Sequence, residues 1–197
     1  MSKQISKNVV CDISKCTGCR ACELACFAEH NRDNNQVGDT VGTVEVPVAP
    51  RLYVTRVSAD ICAPVLCKHC EDAACLNACS NNAIKRIDGQ IIIDSSKCMG
   101  CKDCMLACPF GAIDLQDVYY EKRPKQTMEK DGILKAASKC DLCRENPEGP
   151  ACVRACPNDA LHLIDALELK KKKNVQAIMT MYETAKAQKE GGNDGVY

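Results

Sequence analysis

The sequence has few of the residues that build an ordinary apolar core. Its 197 residues contain no tryptophan, two phenylalanines and five tyrosines, so aromatic residues make up only 4% of the chain. Aromatic side chains bury large areas and dominate the energetics of most protein cores. We therefore expect something other than packed side chains to hold part of this chain together.

Two further absences exclude classes of protein. Lysine plus arginine equals aspartate plus glutamate, with 26 residues of each sign, so the chain lacks the basic excess of a nucleic-acid-binding protein. No apolar run approaches the length of a membrane-spanning helix, and the N-terminal stretch MSKQISKNVVCD lacks the apolar segment of a secretory signal. We expect no nucleic-acid partner, no membrane span and a cytoplasmic location.

The chain is instead rich in cysteine, with 18 residues, and 16 of these fall into four blocks. The cysteines are spaced 2-2-3 in the first and third blocks, 2-4-3 in the second and 2-8-3 in the fourth. Proline follows the third and fourth blocks directly, at Pro109 and Pro157. The blocks are Cys16, Cys19, Cys22 and Cys26; Cys67, Cys70, Cys75 and Cys79; Cys98, Cys101, Cys104 and Cys108; Cys140, Cys143, Cys152 and Cys156.

Three kinds of cysteine chemistry compete for such blocks. Disulfides are disfavoured because reducing compartments keep thiols free, and structural zinc usually takes two separated C-x2-C pairs. A [4Fe–4S] cluster fits better, because three cysteines at i, i+3 and i+6 lie on one tight wrap of backbone and can reach three corners of a cube. Gly18 and Gly100 would let that backbone approach the cluster. The third block matches the bacterial ferredoxin run C-x2-C-x2-C-x3-C-P in full, and zinc stays the weaker alternative.

In that run the fourth cysteine binds the other cluster of a pair, so four blocks imply two pairs. Only 18 residues separate the second block from the third, against 40 between the first and second and 31 between the third and fourth. The short link carries a hairpin signal, Asp88-Gly89 between β-branched apolar residues, which resembles the middle of a two-cluster bacterial ferredoxin. We expect the second and third blocks to form an inner pair, and the first and fourth an outer pair.

This nested scheme predicts four ligand sets and four [4Fe–4S] clusters. The sets are Cys16, Cys19, Cys22 and Cys156; Cys67, Cys70, Cys75 and Cys108; Cys98, Cys101, Cys104 and Cys79; Cys140, Cys143, Cys152 and Cys26. A rival scheme pairs consecutive blocks, the first with the second and the third with the fourth. Motif order alone does not exclude this rival.

Residues 8–165 resemble the four-cluster ferredoxin-type subunits of multi-subunit oxidoreductases. These include the iron–sulfur subunits of dimethyl sulfoxide reductase, formate dehydrogenase, formate hydrogenlyase and carbon monoxide dehydrogenase systems. The resemblance rests on KCTGCRACELAC, CKHCEDAACLNAC, KCMGCKDCMLACPFGAI and KCDLCRENPEGPACVRACPNDAL. The second block with His69 and the long gap in the fourth block are its most specific features. Phe27 and Ser80 depart from the proline that many ferredoxins have there, which puts the backbone after Cys26 and Cys79 in doubt.

The resemblance implies the nested ligand scheme and an α+β fold. That fold would be a duplicated bacterial two-cluster ferredoxin, with short β-hairpins and short helices around the clusters. An inner unit, residues 59–109, would be inserted in an outer unit of residues 1–58 and 110–165, and a helical arm would follow at 166–197.

The function that the resemblance implies is electron transfer, with no catalytic residue in this chain. The protein would relay single electrons within an oxidoreductase complex, with formate dehydrogenase, hydrogenase or both as partners. The alternatives are a ferredoxin-like partner of carbon monoxide dehydrogenase and a freely diffusing polyferredoxin.

Five residues outside the blocks have expected roles. His69 either donates a hydrogen bond near a cluster and tunes its potential, or is a surface imidazole. We expect His30 to be solvated and His162 to be structural. Cys11 and Cys62 are expected to be small apolar residues in the core, with a regulatory thiol as the alternative.

Three stretches between the blocks also carry predictions. RLYVTRV, which begins at Arg51, alternates apolar and polar residues and predicts a strand. Residues 31–42 predict a polar loop. The charged residues 117–139 predict an irregular, solvated excursion, with a docking surface as the alternative.

The tail from residue 166 predicts one long helix. Asp165 and Glu168 resemble a capping pair, and a helix of about 25 residues is ~40 Å long. One face carries Val175, Ile178, Tyr182 and Ala185. We expect an arm that grips another subunit or a second copy of the chain, and the alternative is a helix packed along its own domain.

Overall fold

The computed structural model of the protein describes residues 7–31, 49–119 and 133–191. Within these residues the chain forms eight short strands and five α-helices. The strands pair in twos, so the described part of the chain holds four separate antiparallel sheets, and the fold is α+β. Apart from Asn31, the loop predicted at residues 31–42 lies outside the described residues.

None of the described strands is longer than six residues. They are β1 (Lys7–Cys11), β2 (Tyr53–Arg56), β3 (Cys62–Val65), β4 (Ile84–Ile87), β5 (Gln90–Ile93), β6 (Asp114–Tyr119), β7 (Ile133–Ser138) and β8 (Leu161–Asp165). β1 pairs with β8, β2 with β3, β4 with β5, and β6 with β7. Because an isolated two-stranded sheet is marginally stable in water, each sheet depends on what packs against it.

The predicted hairpin between the second and third blocks is confirmed. β4 and β5 are joined by Asp88 and Gly89, which both have positive φ, at 50° and 80°. A two-residue turn with both residues in this conformation matches the twist of the paired strands, and Asp-Gly is favoured there. The strand predicted in RLYVTRV is also confirmed, as β2.

The prediction of an irregular segment at 117–139 is wrong at both ends. β6 extends to Tyr119, β7 covers Ile133–Ser138, and Tyr119 is the strand partner of Ile133. Strand pairing rests on main-chain hydrogen bonds between distant residues, and a sheet with one face in water accepts charged side chains. Residues 120–132 lie outside the described part of the chain.

The first four helices are short and share one relation to the cysteine blocks. They are α1 (Ala21–His30), α2 (Ala74–Asn77), α3 (Asp103–Ala107) and α4 (Ala151–Arg154). Each begins one residue before the third cysteine of its block, so that cysteine lies in the first turn. α1 packs against α4 and α2 against α3, which brings the first block to the fourth and the second to the third.

The chain makes the same turn after three of the four blocks. The residue three positions beyond the last cysteine has positive φ in each case, and its N–H donates to that cysteine's carbonyl at 3.3 Å. The residues are Asn82, Gly111 and Asp159. Ser80 therefore leaves the turn after Cys79 intact. The first block lacks this turn, because α1 continues through Phe27 to His30.

The fifth helix, α5 (Ala166–Gly191), is much longer than the other four, with 26 residues. Asp165 caps it, since its Oδ1 accepts the N–H groups of Leu167 at 2.9 Å and Glu168 at 3.3 Å. All residues from 166 to 188 are exposed, so the alternative of a helix packed along its own domain is wrong. No helix in the described ranges is long and apolar enough to cross a membrane.

The buried side chains form two groups that mix aliphatic residues with sulfur. The first contains Val9, Leu52, Leu66, Leu142 and Leu161 with Cys22, Cys26, Cys67, Cys140 and Cys152. The second contains Ala73, Ile84, Ile91, Ile113, Ala137 and Cys104. Half-buried cysteines of the second and third blocks pack against this second group, so cysteine is part of the interior on both sides of the molecule.

Gly18 and Gly100 occupy equivalent positions in two blocks, with φ of 71° and 73°. A Cβ at Gly100 would lie 2.7 Å from the carbonyl oxygen of Lys135 in β7. A Cβ at Gly18 would lie 2.8 Å from Nη2 of Arg56 and 3.0 Å from Sγ of Cys62. Glycine is thus favoured at both positions by the left-handed backbone, and at Gly100 also by crowding against the backbone of β7.

Gly100→Ala should destabilise the protein more than Gly111→Ala. Both residues have positive φ, but a Cβ at Gly111 would meet nothing within 4 Å, so only the conformational cost of ~1–2 kcal/mol applies there. At Gly100 the clash with fixed backbone should add ~1–3 kcal/mol. Chemical denaturation followed by circular dichroism measures both costs, and equal values would contradict the crowding argument.

Candidate metal-cluster sites

All 18 cysteines lie in the described residues and all are free thiols, so no disulfide joins them. Three cavities are each lined by four block cysteines. The first cavity contains Cys16, Cys19, Cys22 and Cys156, the second Cys67, Cys70, Cys75 and Cys108, and the third Cys79, Cys98, Cys101 and Cys104. We call these sets the Cys16 quartet, the Cys67 quartet and the Cys98 quartet. Each combines three cysteines of one block with the fourth cysteine of another.

The remaining block cysteines, Cys26, Cys140, Cys143 and Cys152, form the Cys140 quartet. Burial raises the pKa of the Cys26 thiol to about 12, and the neighbouring Cys140 and Cys143 add to the rise by charge repulsion. Burial likewise raises the pKa of Cys152, with further contributions from Cys140, Cys26 and Cys143. These four sulfurs are therefore close neighbours, and Cys26, Cys140 and Cys152 belong to the first buried group.

The helices explain how one block serves two quartets. The third cysteine lies in the first turn of a helix and the fourth comes four residues later, about one helical turn along. Because α1 packs on α4 and α2 on α3, the two blocks of each pair lie side by side. The third cysteine of a block faces its own quartet, and the fourth joins the quartet of the partner block.

Each quartet has at least one sulfur that accepts a backbone hydrogen bond. Arg51 N–H donates to Cys26 Sγ at 3.3 Å, and His69 N–H donates to Cys67 Sγ at 3.4 Å. Ala137 N–H donates to Cys98 Sγ and Ala160 N–H to Cys156 Sγ, both at 3.3 Å. Such bonds favour the charged thiolate, which is the form that binds metal.

As free thiols, the buried cysteines resist ionisation. Burial raises the pKa of Cys140 to about 12 and that of Cys22 and Cys104 to about 11. Thiolates packed this closely without a cation would repel one another and be poorly solvated. The donor set therefore suits a metal group that takes four thiolates and releases their protons on binding.

His69 is not a surface imidazole, because only 2% of it is exposed. Its Nδ1 accepts the N–H of Ile91 at 3.0 Å, so Nε2 carries the proton in the neutral ring. Nε2 is buried and has no partner among the described residues. A buried N–H without an acceptor is costly, and in the motif Cys67-Lys68-His69-Cys70 a cluster would supply that acceptor.

The expectation that His30 is solvated is wrong. Its Nδ1 lies 2.8 Å from the carbonyl oxygen of Cys26, and its Nε2 lies 2.9 Å from Oδ1 of Asp141. Both ring nitrogens face acceptors, an arrangement that the imidazolium form satisfies. The missed signal was local, because His30 follows Cys26 by four residues and so lies on the same face of α1.

Asp141 joins His30 and Arg51 beside the Cys140 quartet. Its carboxylate also accepts the N–H of Cys143 at 3.0 Å and pairs with the Arg51 guanidinium. Burial opposes ionisation, but the His30 hydrogen bond and the Arg51 charge outweigh it and hold the pKa of Asp141 well below its usual range. Sequence spacing does not reveal this network, since 111 residues separate His30 from Asp141.

Cys11 and Cys62 lie at the edge of the Cys16 quartet. Cys11 is half-buried, lines the first cavity, and has its pKa raised to about 12 by burial. Cys62 is buried, and its Sγ donates to the carbonyl of Cys16 at 3.4 Å. The expectation of small core residues is met by Cys62 and only partly by Cys11. His162 lies in β8 with 41% of its side chain exposed.

The family described as 4Fe-4S dicluster domain matches residues 59–166, more than half of the chain. The protein belongs to this family. Its cofactors are therefore [4Fe–4S] clusters, and electron transfer is its function.

Curated relatives agree with this placement. The electron transport protein HydN of Escherichia coli K12 is 35% identical over 165 residues, which cover 84% of this chain and 91% of HydN. Formate hydrogenlyase subunit 2 of the same strain is 37% identical over 184 residues, covering 84% and 85% of the two chains. Hydrogenase-4 component A, also from K12, is 38% identical over 199 residues, covering 88% and 91%.

Asp141→Asn should destabilise the protein by ~1.5–3 kcal/mol, the usual worth of hydrogen bonds to a charged group. The matched control is Asp88→Asn, which removes a carboxylate that also pairs with an arginine but is 81% exposed. An exposed pair contributes ~0–1 kcal/mol. Urea unfolding of both variants at neutral pH measures the difference, and an equal loss would show that the Asp141 network is a surface ion pair.

Proposed function

We propose that the protein relays single electrons through four [4Fe–4S] clusters, one in each quartet. A bound [4Fe–4S] cluster takes up or gives up one electron. Three of the proposed ligand sets are supported by the cavities that the Cys16, Cys67 and Cys98 quartets line. The fourth is supported by the mutual repulsion among the thiols of the Cys140 quartet.

Pairs of neighbouring cysteines from different quartets support a linear order of the four quartets. Charge repulsion from Cys22 contributes to the raised pKa of Cys152, and repulsion from Cys67 contributes to that of Cys140. Cys75 acts in the same way on Cys104. The quartets then follow one another in the order Cys16, Cys140, Cys67 and Cys98.

The two ends of this order are the places where the sulfurs reach the surface. Of the 18 cysteines, two are exposed, Cys19 in the Cys16 quartet and Cys101 in the Cys98 quartet. The Cys140 and Cys67 quartets contain no exposed cysteine. We propose that electrons enter at one exposed end and leave at the other, because a partner can approach a cluster closely only there.

The nested architecture is part of the proposal. The outer unit would comprise residues 1–58 and 110–165, and the inner unit residues 59–109. The pairing of β1 with β8 supports it, since that sheet joins the two ends of the outer unit. Duplication is supported by equal backbone conformations in the first and third blocks, where Gly18 and Arg20 match Gly100 and Lys102 in having positive φ.

We further propose that the partners are a formate dehydrogenase and a hydrogenase. The support is the names of two relatives, formate hydrogenlyase subunit 2 and hydrogenase-4 component A. A carbon monoxide dehydrogenase partner and a freely diffusing carrier are the alternatives. The cytoplasmic location stays a prediction.

α5 would be the arm that docks the protein to another subunit of that complex. It begins where the family match ends, at residue 166, and it carries exposed Val175, Ile178 and Tyr182 along one face. Exposed apolar side chains aligned on one helix face are the usual anchors for a groove on a partner. A second copy of the chain is the other occupant that the test below can reveal.

The ligand sets can be tested by counting iron in single and double variants. Wild-type protein purified without oxygen should contain about sixteen irons, four for each cluster. Cys16→Ala and Cys156→Ala should each remove about four irons, and the double variant should also lose about four because both residues hold the same cluster. Iron analysis and the visible absorbance measure the loss.

The matched control combines Cys16→Ala with Cys79→Ala. The nested scheme assigns these residues to different clusters, so the double variant should lose about eight irons. The rival scheme, in which consecutive blocks pair, predicts the reverse for the two double variants. A folded, iron-free wild type that binds zinc instead would end the proposed function.

The arm can be tested with charge on its apolar face. Ile178→Lys combined with Tyr182→Lys should leave the iron content unchanged and abolish copurification with formate dehydrogenase and hydrogenase activities from the native cells. The control is Thr180→Lys on the opposite face, where Thr180 Oγ1 only bonds the Gln176 carbonyl of its own helix. A dimer of the isolated protein that the double variant dissociates would identify a second copy as the occupant instead.

A further inference from the structure

Lys139 is a buried lysine, with only 4% of its surface exposed. It follows β7 and directly precedes Cys140. Its Nζ donates to the carbonyl oxygen of Ile91 and to that of Cys140, the latter at 3.1 Å. Lysine is almost never fully buried unless it is paired, so its surroundings need an explanation.

The hairpin β4–β5 explains why Ile91 offers a carbonyl to this lysine. Ile87 and Gln90 flank the two-residue turn, and Arg86 faces Ile91 one step further along. Antiparallel pairs alternate between hydrogen-bonded and non-hydrogen-bonded, so the N–H and C=O of Ile91 point away from β4. His69 Nδ1 accepts the N–H, and Lys139 donates to the C=O.

No carboxylate forms an ion pair with Lys139 in the described ranges. Its two carbonyl partners are neutral, and carbonyls alone do not balance a buried positive charge. The Lys139 ammonium acts instead on sulfurs of the two central quartets. Its charge lowers the pKa of Cys75 in the Cys67 quartet and of Cys140 in the other central quartet, although burial keeps both raised overall.

Lys139 therefore lies at the junction of the two central quartets. Cys140 is its neighbour in sequence, and repulsion between Cys67 and Cys140 shows that the two quartets approach each other there. Ile91, which accepts from the ammonium, also lines the cavity of the Cys67 quartet together with Cys70. His69 lies on the same side, with its unpartnered Nε2.

We propose that Lys139 is a shared cationic site between the Cys67 and Cys140 quartets, whose ammonium balances the negative charge of the clusters on both sides and raises their reduction potentials together. This rests on the proposed ligand sets. A [4Fe–4S] cluster with four thiolates is an anion in both of its oxidation states, and net charge near a cluster is one of the factors that set its potential. The lysine would keep the two central potentials close at the point where the outer and inner pairs meet.

The test compares Lys139→Met, which removes the charge, with Lys139→Arg, which keeps it. Lys85→Met is the matched control, because Lys85 lies in the same hairpin as Ile91 but is exposed. Iron is counted first. The protein is then reduced stepwise at controlled potential without oxygen, and the reduced clusters are followed by electron paramagnetic resonance.

In Lys139→Met, two of the four reductions should move to lower potential. At the potential where those clusters are half reduced in the wild type, their ratio of reduced to oxidised form should fall at least tenfold, which corresponds to 59 mV for one electron. Lys139→Arg and Lys85→Met should titrate like the wild type. If Lys139→Met loses iron while Lys139→Arg keeps iron and potentials, the charge is again the cause.

Three results would overturn the inference. The first is a Lys139→Met protein with full iron and four unchanged potentials, and the second is an equal shift of all four clusters. The third is loss of iron in both Lys139→Met and Lys139→Arg, which would make the role one of shape. A wild type without sixteen irons would instead refute the proposed ligand sets, so the two failures are distinguishable.

Discussion

The mutual repulsion of buried thiolates is the constraint on which the rest of the structure depends. Of the 23 buried apolar residues in the described ranges, eight are cysteines and six are alanines, so few large side chains remain to drive folding. No disulfide joins the cysteines. Neutral thiols pack as small apolar residues, whereas the thiolates that bind metal repel one another unless a cation is shared among them. Metal binding and folding are therefore coupled in this chain.

The helices and strands are short, as suits a fold that positions metal-binding cysteines. Every described sheet has two strands, and four of the five helices have ten residues or fewer. Elements of this size gain little stability by themselves. Their value is in position, because they place the third and fourth cysteines of a block in two different quartets.

The features that the sequence predicts correctly depend on neighbours along the chain. The hairpin at Asp88-Gly89, the strand in RLYVTRV and the cap at Asp165 all belong to this class. The His30–Asp141 pair and the pairing of β6 with β7 are different, since they join residues that spacing and periodicity do not relate. The nested grouping of the blocks depends on both kinds of relation. The lengths of the links along the chain favour it, and the packing of α1 on α4 brings the first block to the fourth.

The protein's charges are distributed according to access to water. The Cys16 and Cys98 quartets each have an exposed sulfur, so solvent and its ions can respond when charge there changes. The two central quartets lack that access, and the low local dielectric makes an extra negative charge more costly. It is beside these quartets that buried or half-buried cations lie: Lys139 near Cys140, and Arg51 beside Asp141. Fixed positive groups replace the missing solvent, and they do so without the reorganisation that water would require at each change of charge.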